Sequence, residues 1–150
     1  MLIRQATELD LSSITDLLQA MDGEERIDDG EALTIWRKMK EYPYYKVFVV
    51  EDSNRIIAAC SLIILENLGH RGAKLALAES VIVSENYRGS GIGSMLMHFI
   101  MDEAKEENCY KLMLSSNNKR VQAHEFYQKL GFQQHGISFV VEFNRHGERN

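Results

Sequence analysis

Apolar residues along the chain change their period several times, and each change marks an element. Leu2 to Ala6 reads as a short edge strand. Thr7 followed by Asp10 makes a capping-box start. Leu11, Ile14, Leu18 and Met21 then recur at helical spacing until Asp22-Gly23 closes the helix. Ala32, Ile35, Trp36 and Met39 share one stripe and predict a second helix from about Asp29 to Glu41. The acidic link between the two, Glu24 to Asp29, is loop-like and could border a substrate mouth. Pro43 marks a boundary before a strand at Val47 to Glu51. Asp52-Ser53-Asn54 is a turn cluster and Arg55 to Leu65 a second strand, so the pair reads as a hairpin.

After a loop from Glu66 to Gly72, Lys74 to Val83 alternates as a third strand of this block. The alternation puts Leu75, Leu77, Glu79, Val81 and Val83 on one face, where the Glu79 carboxylate is an anomaly. A helix from about Ser94 to Glu107 follows, with Ile92, Met95, Leu96, Phe99 and Ile100 as its inner stripe. Lys111 to Ser115 is a strand, Ser116 to Lys119 a polar turn, and Val121 to Leu130 a last helix with Gly131 as its left-handed cap. Ile137 to Phe143 is expected to close the sheet, and His146 to Asn150 to be a frayed tail. The order predicts one α+β domain over residues 1–150: a mixed, mostly antiparallel central sheet flanked by about four helices.

Charge narrows the partners. A net charge of −5 provides no basic footprint for nucleic acid, and it suits a cationic or amine-bearing partner as well as a plain acidic protein. Cys60 and Cys109 are isolated and read as two buried thiols rather than a disulfide framework or metal site. The five histidines, His70, His98, His124, His135 and His146, have no metal-ligand spacing, so no metal is expected. No signal peptide is visible at the N-terminus. The longest apolar run, Ile56 to Leu65, is too short to span a bilayer. Neither membrane nor nucleic acid is expected as a partner, and a cytoplasmic location follows by elimination.

The chemistry concentrates after the third strand. Gly89, Gly91 and Gly93 fall every second residue, so backbone N–H groups can face a ligand with no Cβ in the way. A helix opening from such a turn attracts anions. A P-loop would need Lys after its last glycine, but Gly93 is followed by Ser94-Met95. A Rossmann fingerprint needs G-x-G-x-x-G early in a βαβ series, and that spacing is broken here. The pattern R-x-x-G-x-G is met at every fixed position by Arg88-Gly89-Ser90-Gly91-Ile92-Gly93; a purely structural glycine turn remains the bland alternative.

At these residues the chain resembles the GNAT superfamily of N-acetyltransferases. The likeness spans nearly the whole chain and is strongest from Glu79 to Phe132. It rests on the Val81-Ile82-Val83 strand with Arg88-Gly-Ser-Gly-Ile-Gly93, and on Ala123-His-Glu-Phe-Tyr-Gln-Lys-Leu-Gly-Phe132. Many members carry a proline shortly before the arginine, where this chain has Ser84-Glu85-Asn86. The resemblance implies acetyl-coenzyme A as co-substrate. Backbone groups of Val81 and Val83 would pair with its pantetheine arm like an added strand, alongside Ile82. The N–H groups of Gly89, Ser90, Gly91, Ile92, Gly93 and Ser94 would take the pyrophosphate, with Arg88 at its edge. Asn117, in the turn Asn117-Asn118-Lys119-Arg120, would contact the lower cofactor arm.

Acyl transfer to an amine needs a neutral nucleophile, a stabilised oxyanion and a thiolate that can leave. Neutralising a lysine-like amine at pH 7 costs about 4.6 kcal/mol, and an α-amino-like group only about 1 kcal/mol. Glu79 is the candidate base, directly or through a water, with apolar neighbours expected to raise its pKa. The competing reading is a carboxylate satisfied by a neighbouring cation. Tyr127 lies on the apolar stripe of the last helix and reads there as a core aromatic. The family's tyrosine, four residues before Gly131-Phe132, makes it the candidate general acid for the thiolate. A backbone N–H near Val81 would polarise the thioester carbonyl. His70 or His124 could line the acceptor site.

Two regions hint at the acceptor. Asn117 to Tyr127 looks like aminoalkylphosphonate acetyltransferases. Asn108-Cys-Tyr-Lys-Leu112, with Gly69-His70 upstream of Glu79, is similar to glucosamine-6-phosphate N-acetyltransferases. Both imply a small-molecule amine carrying an anionic group, which the chain's acidic balance opposes. A protein or peptide amine, or a non-catalytic acyl-CoA-binding module, are the alternatives. A homodimer is among the assemblies that the resemblance implies.

Overall fold

The computed structural model describes residues 1–23 and 25–143. The expected tail, His146 to Asn150, lies outside the described residues. The chain divides into two compact units, Met1–Leu114 and Ser115–Asn150.

The first unit contains β1 (Leu2–Gln5), α1 (Leu11–Asp22), α2 (Asp29–Met39), β2 (Tyr45–Asp52), β3 (Arg55–Leu65), β4 (Lys74–Val83), α3 (Ile92–Glu106) and β5 (Cys109–Met113). Its strands form an open sheet in the order β1-β2-β3-β4-β5. The first four pair antiparallel, and β5 runs parallel to β4. Only a crossover can join parallel neighbours, and α3 is that crossover. The β2–β3 hairpin turns on Ser53 and Asn54, both at positive φ (48° and 63°), the backbone that a two-residue hairpin with right-handed strand twist requires.

Helices cover both faces of this sheet, which is why β3 is a near-continuous apolar run. On one face Val47, Val49, Ala59 and Ile82 pack with Leu11, Ile14 and Leu17 of α1 and Trp36 of α2. On the other, Phe48 meets Phe99 of α3 edge-to-face at 5.2 Å. The inner row of α3 is Ile92, Leu96, Met97, Ile100 and Ala104. Met95, expected on the inner stripe, is exposed, while Met97 is fully buried. The helix lays its i, i+4 row on the sheet, so the buried arc lies to one side of the stripe first drawn.

A tie among three charges fastens the N-terminal strand. Arg4 donates from both terminal nitrogens to Asp10, at 2.8 Å each, and from Nε to Glu51 at 2.8 Å. Asp10 also closes the expected capping box, accepting from the Thr7 backbone N–H at 2.8 Å. Between the two helices, Arg26 binds both Asp16 and Asp29, and Asp28 caps α2 by accepting from Gly30 and Glu31.

In the second unit, α4 (Val121–Lys129) ends at Gly131, whose φ of 96° bears out the left-handed cap. Its start is held by Asn117, whose side-chain oxygen accepts from Lys119 N–H at 2.9 Å. The expected strand from Ile137 to Phe143 is corrected. No strand forms there, and Ile137, Phe139, Val140, Val141 and Phe143 are all strongly exposed. Alternation reports a half-buried face, but a strand also needs a ladder, and among the described residues of its own unit this segment has none. Ser138 Oγ lies 3.2 Å from Ser115 Oγ.

Two predictions follow from these contacts. Arg4 holds the Asp10 carboxyl down at about 2, against an ordinary 3.8, with burial opposing and Thr7 assisting. A depressed carboxylate stabilises the fold above its unfolded value, and that contribution is lost as pH falls through the folded value. Asp10→Asn should therefore cost on the order of 2 kcal/mol at pH 7, with the gap to the parent narrowing between pH 4 and pH 2 in urea unfolding. A gap independent of pH would show that the charge is not what matters. The second concerns the thiols: Cys60 is fully buried, whereas Cys109 is only half-buried, not buried as expected. Burial, reinforced by the nearby Glu79 charge, pushes the Cys60 thiol up to about 12, with the Glu79 backbone N–H pulling the other way. Native protein at pH 8 should release one equivalent of a chromogenic disulfide's leaving group, from Cys109, and the second only on denaturation.

Candidate active site

The site is built on the upper half of β4, where the ladder is broken. On β3, Ala59 pairs with Ile82 and Ser61 with Glu79, so Ser80 and Val81 together oppose Cys60. Two residues against one is a β-bulge, and Ser80 carries a left-handed φ of 52° to make it. The bulge reverses the faces of β4. Glu79 pairs with Ser61, on the face covered by α1 and α2. Val83 pairs with Ala58, whose β2 partner Val50 lies on the Phe48 side. The single face expected for Leu75, Leu77, Glu79, Val81 and Val83 is therefore corrected, because the period of two is interrupted at Ser80.

The same half of β4 has a free edge. Pairing with β5 ends at Leu77↔Met113, so residues 78–83 have, among the described residues, a strand neighbour only on the β3 side. Ser84 N–H donates to Ile57 carbonyl at 2.8 Å. Alternation then turns the N–H and C=O groups of Val81 and Val83 to the open edge, while those of Ile82 face β3. The Val83 carbonyl accepts from Arg88 Nε at 3.4 Å.

Next along the chain, residues 84–90 fold into a single 3-10 turn at Glu85–Tyr87, which stiffens the loop that lacks a proline. Gly89 and Gly91 then take φ values of 76° and 86°. A Cβ on either would touch nothing within 4 Å, so glycine is required here by backbone conformation, and the space before it is open. Gly91 is the N-cap of α3 and no side chain caps it. The first intrahelical bond is Met95 N–H to Gly91 carbonyl at 3.0 Å. The N–H groups of Ile92, Gly93 and Ser94 therefore have no partner within the helix, and the helix dipole favours negative charge beside them.

Beneath α1 and α2 lies a cavity of about 160 Å³ that reaches the bulge. Its walls are apolar, among them Leu18, Ile27, Trp36 and Ile82, and the side chains of Tyr45, Ser61 and Ser80 add hydroxyls. Ile27 belongs to the link between α1 and α2, so that link does border a cavity. Glu79, paired with Ser61, is exposed, not enclosed by the apolar neighbours expected for it. The Tyr45 hydroxyl is held above its ordinary pKa by burial; a hydrogen bond with Ser61 lowers it, and the charge of Glu79 raises it. Tyr45, Ser61 and Ser80 were not singled out in the sequence. Ser61, polar within the apolar run Ile56 to Leu65, was the one visible signal.

Asn117 and Tyr127 lie in the second unit. Asn117 uses both oxygens locally: its backbone carbonyl accepts from Arg120 N–H and from a His124 ring nitrogen, each at 2.9 Å. Tyr127 is half-buried between Phe126 and Phe132, with ring centroids 5.1 and 5.7 Å away, and its carbonyl accepts from Phe132 N–H. In the first unit, His70 is stacked on Tyr110 at 4.5 Å.

Comparison with known proteins gives this geometry a family. The profile of the Acetyltransferase (GNAT) family matches residues 11–132. A glucosamine 6-phosphate N-acetyltransferase of Trypanosoma brucei brucei is 31% identical over 134 residues, which is 89% of each chain. Among solved structures, a putative acetyltransferase from Agrobacterium tumefaciens superposes with a TM-score of 0.91 at 27% identity, covering 95% of this chain and 100% of its own. The glucosamine-6-phosphate N-acetyltransferase of Arabidopsis thaliana shares the fold with a TM-score of 0.86 at 24% identity, over 95% of this chain and 98% of its own. Bulged strand, glycine turn and crossover helix occur here within a matched profile covering most of the chain, and the protein belongs to the GNAT family of acetyltransferases.

Proposed function

We propose that the protein transfers the acetyl group of acetyl-CoA to the primary amine of a small molecule, with glucosamine 6-phosphate as the acceptor. The observation that carries the donor half is the edge of β4 beyond Leu77, unpaired among the described residues and followed, after one short loop, by an uncapped helix start. An extended pantetheine arm fits such an edge as a strand would, through Val81 and Val83. The pyrophosphate fits the N–H groups from Gly89 to Ser94, with Arg88 beside it. The acceptor half is supported by the Trypanosoma relative, matched over 89% of both chains.

In this reading the amine nitrogen attacks the thioester carbonyl carbon, and the backbone N–H near Val81 steadies the oxyanion. Glu79 takes the ammonium proton, directly or through a water; its exposure leaves it accessible to an incoming amine. The C–S bond breaks as the tetrahedral intermediate collapses, and Tyr127 supplies a proton to the departing thiolate. Asn117 supports the lower cofactor arm.

The decisive assay is thiol release from acetyl-CoA with glucosamine 6-phosphate, unphosphorylated glucosamine and a lysine peptide as acceptors. Turnover is expected to be fastest with the phosphosugar. Turnover on the peptide alone would make this a protein acetyltransferase, and acetyl-CoA binding without any turnover would make it a binding module. Tyr127→Phe should lower kcat at least tenfold with KM for acetyl-CoA little changed, and a loss within twofold would remove Tyr127 from the acid role. Gly91→Val meets no clash but forces a β-branched residue to φ 86°. It should weaken acetyl-CoA binding at least tenfold while circular dichroism stays native, and intact affinity would sink the phosphate cradle.

A further inference from the structure

The cavity beneath α1 and α2 is much larger than acetyl transfer needs. It has a volume of about 160 Å³, and no ionised side chain among the described residues lines it. An apolar cavity of about 150 Å³ takes up benzene, six carbons, whereas the reacting part of an acetyl group beyond its carbonyl is a single methyl. The space is bounded by Ala32 on α2 and Ala59 on β3, small residues where larger ones would close it. Trp36 and Met39 of α2 and Leu18 of α1 also line it.

The position of the cavity identifies what would enter it. Ser80 and Ile82 line it, on either side of Val81. In the reading above, Val81 is where the thioester carbonyl docks, so the carbon chain attached to that carbonyl starts at the cavity wall. Of the two reactants, the acceptor presents an amine and further polar groups, and these gain nothing from apolar walls. The acyl chain is the apolar reactant.

We propose that this cavity is an acyl-chain pocket, and that the protein uses acyl-CoA thioesters of about three to six carbons as donors, at least as readily as acetyl-CoA. The inference rests on the proposed donor site and deepens it. The chemistry is unchanged: the acceptor nitrogen forms a bond to the acyl carbonyl carbon, the C–S bond breaks, and the amine's proton leaves through the base. Coenzyme A departs as the thiol, and the product is a longer-chain amide. Each methylene moved from water into the pocket should tighten donor binding about fourfold, until the pocket is full.

The test is calorimetric binding of acetyl-, propionyl-, butyryl-, hexanoyl- and decanoyl-CoA to the full chain without acceptor. Affinity is expected to rise from two carbons to four or six, by at least tenfold in total, and to gain nothing more at ten. Affinity that falls at propionyl or butyryl, or stays flat at every length, overturns the pocket while leaving acetyl-CoA as donor. Failure of every thioester to bind overturns the donor site and the pocket together. Leu18→Trp and, from the opposite helix, Ala32→Leu each fill the space. Either should reduce the butyryl-to-acetyl affinity ratio at least fivefold, and an unchanged ratio in both folded variants overturns the assignment.

Discussion

One extra residue in β4 governs the geometry of the candidate site. With Ser80 and Val81 set against Cys60, the strand cannot continue the ladder it begins. Up to Leu77 β4 is an interior strand, paired with β3 and β5. From Ala78 through the bulge and beyond, among the described residues, it pairs with β3 alone, and its outward N–H and C=O groups are left on an open edge. The same residue exchanges the two faces, so Glu79 and Val83, an even number of positions apart, point to opposite sides. Ser80 adopts a left-handed backbone to achieve this, a conformation that costs a non-glycine residue on the order of 1 kcal/mol or more and persists only where the surroundings enforce it. Those surroundings are a covered sheet, with α1 and α2 on one face and α3 on the other.

From that constraint the division of labour follows. The open edge and the glycine turn beyond it offer backbone groups, suited to a ligand recognised by extended shape and negative charge. The face under α1 and α2 offers a mostly apolar cavity lined in part by Tyr45, Ser61 and Ser80, with Glu79 paired to Ser61. In the proposed reading the backbone groups of the edge and the apolar cavity both serve the donor, and Glu79, exposed and paired with Ser61, serves the acceptor amine.

Much of this was legible in the sequence, for physical reasons that can be named. The glycine turn could be read because φ near +80° at Gly89 and Gly91 leaves other residues strained there. Glu79 stood out because a carboxylate breaks an otherwise apolar alternation. The bulge was hidden because its left-handed position is held by serine, which does not advertise that backbone as glycine or asparagine would. Its consequence, the reversal of faces, was therefore missed as well. The inner row of α3 was misjudged at Met95 and Met97, where both side chains are equally apolar and tertiary packing alone decides. Ile137 to Phe143 had the period of a strand, yet period does not supply a hydrogen-bonding neighbour.

Hydrogen exchange read by NMR, with and without saturating acetyl-CoA, tests the central claim most directly. If the open edge and the helix start hold the donor, the amides of Val81 and Val83 and those from Gly89 to Ser94 slow on binding, while exchange in β1 and β2 is unchanged. Exchange unaltered at all of these amides under saturation, with protection appearing elsewhere, would contradict the account.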